Sequence, residues 1–388
     1  MHKVMGFFVT MAIAGLALGA PPALAADREP LDARFQQAKP VECDVQCGDV
    51  ITQHTKLTHD LSCSGTDGPA LTIEGDGIVL DLGGHTVRDS GLSQPGGYGI
   101  VVSGDSMVRN GTIRGFAISI FTEGASYLRL HELKFEDNGV AVYDFTSTYF
   151  LVTHSRFIGS NYVFFNDFEQ SYGLFDVRSS QFENNGNVFL LQGHIADILD
   201  STFTSNGLVL DCFSGSLRVR SSIFTRNQAV VRAVDTGGRP DFCGHLRFED
   251  SLLANNTSFG TTAEPVWVPQ SLELVNNLFV GNGSGLEVYT FTVYVHGNTF
   301  LNNAGGLTLS NLPYVALPQT GIVRANRFLY NDGDGLRVPP PHTPTVIGNV
   351  AVGNTGWGIY APTAYDGGGN VARNNGAGNC EGILCAPY

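Results

Sequence analysis

Four aspartates are the first candidates for chemistry in this sequence, because they recur at similar distances behind a repeated Asn or Ser. They are Asp144, Asp167, Asp211 and Asp235. If these positions lie on neighbouring strands, adjacent carboxylates would be about 5 Å apart and alternate ones about 10 Å apart. Both spacings suit glycoside hydrolysis by a pair of carboxyl groups. Crowding raises the pKa of one carboxyl of such a pair, which favours a general acid.

Basic and aromatic side chains accompany these aspartates. Arg232 or His194 would serve β-elimination from a uronic acid, as base or as a clamp for the sugar carboxylate. We therefore expect a catalytic set drawn from Asp167, Asp211, Asp235, Arg232 and His194. For substrate binding we expect Tyr143, Asp144, Arg239 and Trp267, and the sequence offers further aromatic residues for stacking on sugars at Phe164, Phe189, Phe213 and Tyr289. Aspartate is also common in turns, so a purely structural role explains the same residues.

A repeat must position these side chains. One apolar column is Phe135, Phe157, Phe182, Phe203, Phe224, Leu253, Phe279, Phe300 and Phe328. A polar column stands three residues after these positions and continues beyond the last of them. It consists of Asn138, Ser160, Asn185, Asn206, Asn227, Asn256, Asn282, Asn303, Asn331, Asn354 and Asn375. A period in the low twenties with tolerated insertions indicates a solenoid.

Each period contains strands with polar corners. Apolar residues alternate before the Phe and again after the Asn, as in Leu128/Leu130 and Val140/Val142. A second polar column, mostly Ser and Asn, stands two residues before each Phe. Coiling such strands would stack the Phe rings inside and use the polar columns to satisfy the corners. The repeats therefore predict an all-β solenoid with a Phe stack and Asn/Ser ladders.

The segments "GIVLDLGGHTV", "NxFxxNxxGLxL" and "GGGNVARNNGAGNC" resemble the right-handed parallel β-helix repeat family. That pectate-lyase-like superfamily includes pectate lyases, polygalacturonases, alginate epimerases and periplasmic proteins of nitrous-oxide reductase maturation. The resemblance implies a single-stranded right-handed parallel β-helix of about a dozen rungs. The Asn-Thr-Asp, Gly-His-Gly and Asp-Pro-His motifs of the family's enzymes are missing from the sequence, so the resemblance assigns no specific activity.

The chain divides into four segments. Residues 1–25 have a basic start, an apolar run and a small-residue site at Ala23-Leu24-Ala25, which predicts a signal peptide and secretion to the periplasm or exterior. Residues 26–65 are expected to cap the open first rung. Residues 66–379 form the predicted β-helix, and 380–388 close it.

Seven cysteines in an exported chain predict disulfides. We expect three pairs, with Cys43 left free: Cys380–Cys385, Cys212–Cys243 and Cys47–Cys63. Their spacing does not match a zinc site, so no metal ligands are assigned. Calcium as a cofactor stays open, because the sequence shows no clear motif for it.

The formal net charge is −14, from 22 basic and 36 acidic residues. Such a surface repels nucleic acid and anionic membranes, which excludes both as general partners. The sequence also shows no membrane span after the apolar start. We expect a monomer whose partner is a polysaccharide or a cell-surface glycan.

Insertions after the third strand of the repeat predict overhanging loops at 233–244, 257–270 and 310–320. We expect a groove along the ends of these strands, walled by 233–244 and 257–270. Two functions stay open there: an enzyme acting by lysis, hydrolysis or epimerisation on an extracellular polysaccharide, or a non-catalytic glycan-binding or structural protein. A second possibility is the charged stripe from Arg129 to His296, which is also explained by cross-strand ion pairing.

Overall fold

The computed structural model describes residues 35, 37–63, 68–89, 97–145, 148–166, 173–192, 195–213, 215–232, 244–259, 271–310 and 318–386, with backbone only at 191–192, 212–213 and 232. The predicted signal peptide lies outside these residues. Contacts divide the chain into the units Met1–Ala38 and Lys39–Tyr388, and all strands named below belong to the second. In the part that the structure describes, no helix has the length and apolar character needed to cross a membrane.

Each turn of the coil has three sides, and strands of successive turns pair in parallel on every side. The first side holds the strand before the Phe, and the second side holds the Phe. Together they form a 28-stranded sheet: Val41–Cys43, Thr55–Leu57, Leu61–Ser62, Ile78–Asp81, Thr86–Arg88, Ser106–Arg114, Tyr127–Glu136, Tyr149–Thr153, Arg156–Ile158, Leu174–Arg178, Gln181–Glu183, Ile195–Leu199, Thr202–Thr204, Ser216–Arg220, Ile223–Thr225, His245–Glu249, Leu252–Ala254, Ser271–Val275, Leu278–Val280, Thr292–His296, Thr299–Leu301, Thr320–Arg324, Arg327–Leu329, Thr345–Ile347, Val350–Val352, Tyr365–Gly368, Asn370–Arg373 and Cys385–Ala386.

The third side holds the strand that follows the corner Asn. Nine strands form its first sheet: Asp49–Ile51, Leu71–Ile73, Tyr98–Val102, Ile118–Thr122, Val140–Asp144, Tyr162–Asn166, Asn187–Gln192, Leu208–Phe213 and Ala229–Arg232. Five strands form its second sheet: Leu286–Val288, Leu307–Leu309, Leu336–Arg337, Trp357–Tyr360 and Gly378–Glu381. In the sequence, the expected insertions 233–244 and 257–270 lie between the last strand of the first sheet and the first strand of the second. The architecture is an all-β parallel solenoid of about 13 turns, which confirms the predicted fold class.

The Phe column lies inside the coil, as the repeat predicts. Phe135, Phe157, Phe182 and Phe203 are at most 1% exposed, and the centroids of neighbouring rings are 4.7, 5.0 and 4.7 Å apart. Their planes are nearly parallel, because the strands that carry them pair in register. Leu253 interrupts the stack without leaving the core. Burial of one aromatic side chain in every turn supplies much of the hydrophobic free energy of folding.

The corner Asn residues form a hydrogen-bonded ladder between the second and third sides. Asn227 shows the pattern: its backbone N–H and its side-chain Nδ2 both donate to Oδ1 of Asn256, at 3.0 and 2.9 Å. Its Nδ2 also donates to the carbonyl oxygen of Phe203, at 3.0 Å. These amides are almost completely buried, so each rung satisfies polar groups of its neighbours that water does not reach.

The residue before each polar column has a left-handed backbone in most turns. At His154, Asp137 and Asn255, for example, φ is 52°, 53° and 54°. Gly159 and Gly281 occupy equivalent positions with φ of 69° and 64°. This conformation costs least for Gly and Asn, which explains why both are frequent just before the ladders.

Both ends of the coil are disulfide-bonded. Cys47 pairs with Cys63, and Cys380 pairs with Cys385, which confirms these two predictions, while Cys43 is a free thiol. Cys243 and the Cys212 side chain are outside the described residues, so that pair stays a prediction. Within the segment expected to be a cap, strands from Val41–Cys43 to Leu61–Ser62 pair with the coil that follows.

Replacing Asn256 by alanine should lower the free energy of unfolding by about 2–4 kcal/mol, because buried donors and acceptors on two rungs lose their partners. Asn256 accepts from Asn227 and donates from Nδ2 to Phe224 O and Asn282 Oδ1. Urea denaturation followed by circular dichroism measures the change. Asn187→Ala, a half-buried strand position outside the ladder, is the matched control. Equal effects of the two substitutions would contradict a special role for the ladder.

Candidate functional site

One column of register partners runs along the axis of the coil on the third side, and its first members are partly exposed to solvent. Phe121, Tyr143 and Phe165 are register partners on successive strands. Leu190, Asp211 and Arg232 continue the same column. Most of these residues stand five positions after a corner Asn or Ser, so the ladder sets their alignment. We call this set the outer column.

Aromatic side chains crowd the first part of the outer column. The aromatic strip consists of Tyr98, Phe121, Tyr143, Phe145, Tyr162 and Phe165. Neighbouring ring centroids along it are 5.2 to 5.9 Å apart. Tyr98 is 38% and Phe145 is 49% exposed, and the other four rings are half-buried. The strip therefore presents a continuous aromatic surface to solvent across four adjacent strands.

The strip is separate from the core. Ile120, Val142 and Phe164 each come one residue before a member of the strip, and they are at most 1% exposed. Phe164 stacks on Phe189 inside the coil, with centroids 4.9 Å apart. The idea that these two Phe residues contact a sugar is wrong, because they point away from solvent. The sequence offered a signal for the correct members, namely the aromatic residue five positions after Asn138 and after Ser160.

Tyr143 and Asp144 lie on opposite faces of the same strand end. Tyr143 belongs to the aromatic strip, whereas Asp144 is completely buried. The Asp144 carboxylate accepts hydrogen bonds from Thr122 Oγ1 at 2.9 Å and from the Thr148 backbone N–H at 3.2 Å. Asp144 is also out of register with Asp211, since its partners on neighbouring strands are Thr122 and Asn166. The structure thus places Asp144 in a buried corner network.

Asp211 and Arg232 occupy neighbouring rungs of the outer column. Asp211 is only 2% exposed, and Arg232 is described by its backbone alone. The register brings the two positions to about 5 Å, the spacing of paired strands. Asp167, His194, Asp235, Arg239 and Trp267 lie outside the described residues, as does the Phe213 side chain, so their expected roles stay predictions.

Beyond the insertion the ladder continues from Asn256 to Asn282, and the outer column continues with Glu287. Glu287 Oε1 accepts hydrogen bonds from Tyr289 at 2.8 Å and from Ser310 at 2.5 Å. Burial, and then the hydrogen bond to Glu287, raises the pKa of the Tyr289 hydroxyl to about 12. Tyr289 is therefore protonated at neutral pH and acts as a donor.

The charged stripe of the first side consists largely of ion pairs. Arg178 Nη2 lies 2.6 Å from Asp176, which also accepts from the Tyr149 hydroxyl at 3.1 Å. Arg247 lies 2.8 Å from Glu273 on the adjacent strand. These pairs satisfy one another, so this side has less unpaired charge to offer a ligand. In the described ranges, no three His, Cys, Asp or Glu side chains are placed to hold a metal ion.

Three comparisons place the chain among known proteins. The model of the "Right handed beta helix region" family matches residues 70–242. Among curated proteins the comparison finds no match. Similar solved structures include the catalytic domain of a GH87 alpha-1,3-glucanase in complex with nigerose, at 11% identity and a TM-score of 0.41. A variant of that domain in complex with tetrasaccharides has 10% identity and the same TM-score.

In both cases the match covers 88% of this chain and 66% of the other, so this chain spans slightly less than two thirds of their length. A likeness of this size carries no argument about activity. The repeats, the three-sided stacking of parallel strands and the family match establish the architecture independently. The chain is a right-handed parallel β-helix protein.

Proposed function

We propose that this protein binds an extracellular polysaccharide along the third side, with the aromatic strip as the binding surface. The observation that carries the proposal is the exposure of six adjacent aromatic side chains outside a core that is already filled. Aromatic rings stack on the apolar faces of sugars, and phenolic hydroxyls hydrogen-bond to sugar hydroxyls. The disulfides and the expected signal peptide support an extracellular location.

The shape of the strip suits a linear ligand. Its rings follow the axis of the coil with one outer-column residue on each rung, roughly every 4.8 Å. A polymer lying along the axis would meet the same apolar contact repeatedly. This arrangement suits a linear sugar chain.

Processing of the bound chain is the second candidate function, and one observation favours it. Asp211 and Arg232 follow the aromatic strip in the same outer column, on neighbouring rungs. A carboxylate beside a guanidinium would act as a base next to a clamp for a uronic-acid carboxylate, which is the arrangement for β-elimination. Hydrolysis or epimerisation would use Asp211 with the other predicted carboxylates, Asp167 and Asp235.

The double variant Phe121→Ala/Tyr143→Ala should bind polysaccharide roughly 5- to 150-fold more weakly, because two stacking contacts worth roughly 0.5–1.5 kcal/mol each are lost. Affinity electrophoresis in gels containing polygalacturonate, alginate, xylan or dextran measures the change. The first two polymers carry carboxylates and the last two test neutral sugars. Both side chains are partly solvent-exposed, so thermal unfolding should change little.

Tyr330→Ala is the matched control for that experiment. Tyr330 is 60% exposed and lies beside the second side, away from the strip. Its loss should leave retention by the polymers unchanged. If every polymer that slows the wild type also slows the strip variant equally, binding occurs outside the aromatic strip. A wild type that no polymer slows would count against polysaccharide binding itself.

Asp211→Asn and Arg232→Gln test the processing function. If the protein cleaves or epimerises the chain, Asp211→Asn should lose at least about a hundredfold in turnover, since removing a general acid or base costs that much. Arg232→Gln should also lower turnover, because the sugar carboxylate loses its clamp. Cleavage is followed by absorbance of unsaturated uronates and by reducing ends, and epimerisation by the ring-proton NMR signals of the intact polymer. The strip should still retain the polymer in both variants. Turnover that survives both substitutions would move the chemistry away from the outer column, to the charged stripe.

A further inference from the structure

A second aromatic group lies at the far end of the third side. Trp357 and Tyr360 are on one strand, with ring centroids 6.0 Å apart and planes inclined by 53°. The guanidinium of Arg337 lies over the Tyr360 ring, 4.8 Å from its centroid. Arg337 and Tyr360 are register partners in the outer column. We call Arg337, Trp357 and Tyr360 the distal platform.

Asp334 holds the distal platform together. Its Oδ2 accepts from Arg337 Nη1 at 2.9 Å, and its Oδ1 accepts from the Trp357 backbone N–H at 2.6 Å. The Arg337 side chain is still 43% exposed, while that of Asp334 is 18% exposed. The guanidinium is thus fixed by a carboxylate and an aromatic ring while its remaining donors can reach solvent. A group fixed in this way loses little conformational entropy when it binds a ligand.

The next rung makes room for the indole of Trp357. Its register partner is Gly378, and a Cβ added at Gly378 would clash with the indole ring. The absence of a side chain lets the ring lie across the backbone of that rung. Glycine within a strand commonly marks such a close approach. Trp357 itself remains half-buried and keeps part of its surface in solvent.

We propose that the distal platform is a second sugar-binding site, and that one polysaccharide chain spans it and the aromatic strip. This inference rests on the proposed function. The outer column carries both groups, roughly eight rungs or about 38 Å apart at the ~4.8 Å spacing of paired strands. Trp357 and Tyr360 would stack on a sugar ring. Arg337 would donate hydrogen bonds to its hydroxyl or carboxylate oxygens.

A chain that reaches both sites binds more tightly than a short fragment. Once one site is occupied, the second binding event is intramolecular, and the gain is typically ~10²- to 10⁴-fold. Trisaccharides, which cover one site only, should therefore bind at least about a hundredfold more weakly than the polymer. Comparing the affinity for the polymer with that for a trisaccharide of the same composition therefore distinguishes two-site from one-site binding.

The test compares Trp357→Ala and Arg337→Gln with the control Tyr365→Ala. Tyr365 is 67% exposed and lies on the first side, in the last turns of the coil. Isothermal titration calorimetry uses two ligands. The first is the polymer (polygalacturonate, alginate, xylan or dextran) that retains the wild type in affinity electrophoresis, and the second is the trisaccharide of that polymer. Trp357→Ala and Arg337→Gln should weaken polymer binding at least about tenfold and change trisaccharide binding less than about twofold, because one weak site remains. The control should bind like the wild type.

The outcomes separate this inference from the proposed function. Polymer binding that is lost in Phe121→Ala/Tyr143→Ala but unchanged in Trp357→Ala overturns the second site and leaves the strip in place. Three other outcomes overturn both the second site and the aromatic strip as a binding surface. They are polymer binding that weakens only in Trp357→Ala, polymer binding that weakens in neither variant, and a wild type that binds none of the four polymers. Comparing the acidic polymers with the neutral ones shows whether Arg337 recognises carboxylate or hydroxyl oxygens.

Fluorescence gives an independent readout. The sequence has two tryptophans, so subtracting the emission of Trp357→Phe from that of the wild type isolates the signal of Trp357. Saturation of the wild type with polymer should shift or quench this difference signal, since a sugar ring would displace water from Trp357. Unchanged emission at saturation would overturn the contact.

Discussion

The hydrogen-bonded Asn ladder is the constraint on which the rest of this structure depends. Each corner Asn donates to the next rung through its backbone N–H and Nδ2, as Asn227 does to Asn256, and accepts from the preceding rung through Oδ1, as Asn227 does from Asn206. A slip of one residue between rungs would leave these buried groups without partners, at about 1–3 kcal/mol each. The ladder therefore fixes the register of the neighbouring strands, and the Phe rings stack face to face as a consequence. The insertions expected at 233–244, 257–270 and 310–320 follow corner Asn residues in the sequence, and the ladder continues from Asn227 through Asn256, Asn282 and Asn303 to Asn331.

Fixed register on the inside creates ordered columns on the outside. A residue at a constant distance from the ladder lies above its counterpart on the next turn, whatever its chemical type. The outer column uses this freedom: it is aromatic at Phe121 and Tyr143, charged at Asp211 and Arg232, and aromatic again at Tyr360. None of these side chains is needed to fill the core. Their alignment along the axis would give the proposed polysaccharide contacts on rungs that are far apart in the sequence.

The sequence predicted the features that recur and missed those that do not. The Phe stack and the ladders follow from periodicity and spacing, because the interior has to repeat. The two terminal disulfides were predicted from the cysteines of a chain expected to be exported. The outer face has no such requirement, so the aromatic residues five positions after Asn138 and Ser160 do not recur along the whole column, and Phe121 follows no corner Asn or Ser at that distance. The side on which a residue lies is decided by a single step along a strand, which is why Phe164 and Asp144 are buried while their immediate neighbours, Phe165 and Tyr143, face solvent. Aspartates near a corner are ambiguous for the same reason.

The same alternation separates stability from function in this fold. Inward positions such as Val142 and Phe164 are packed against neighbours on adjacent turns, so changes there affect the whole coil. Outward positions one residue away contact solvent on one side, and substitutions there affect stability much less. A binding surface can therefore change along the outer column while the ladder remains intact. In this chain two aromatic groups lie along the outer column with a charged segment between them. This order of side chains distinguishes the third side from one that only completes the coil.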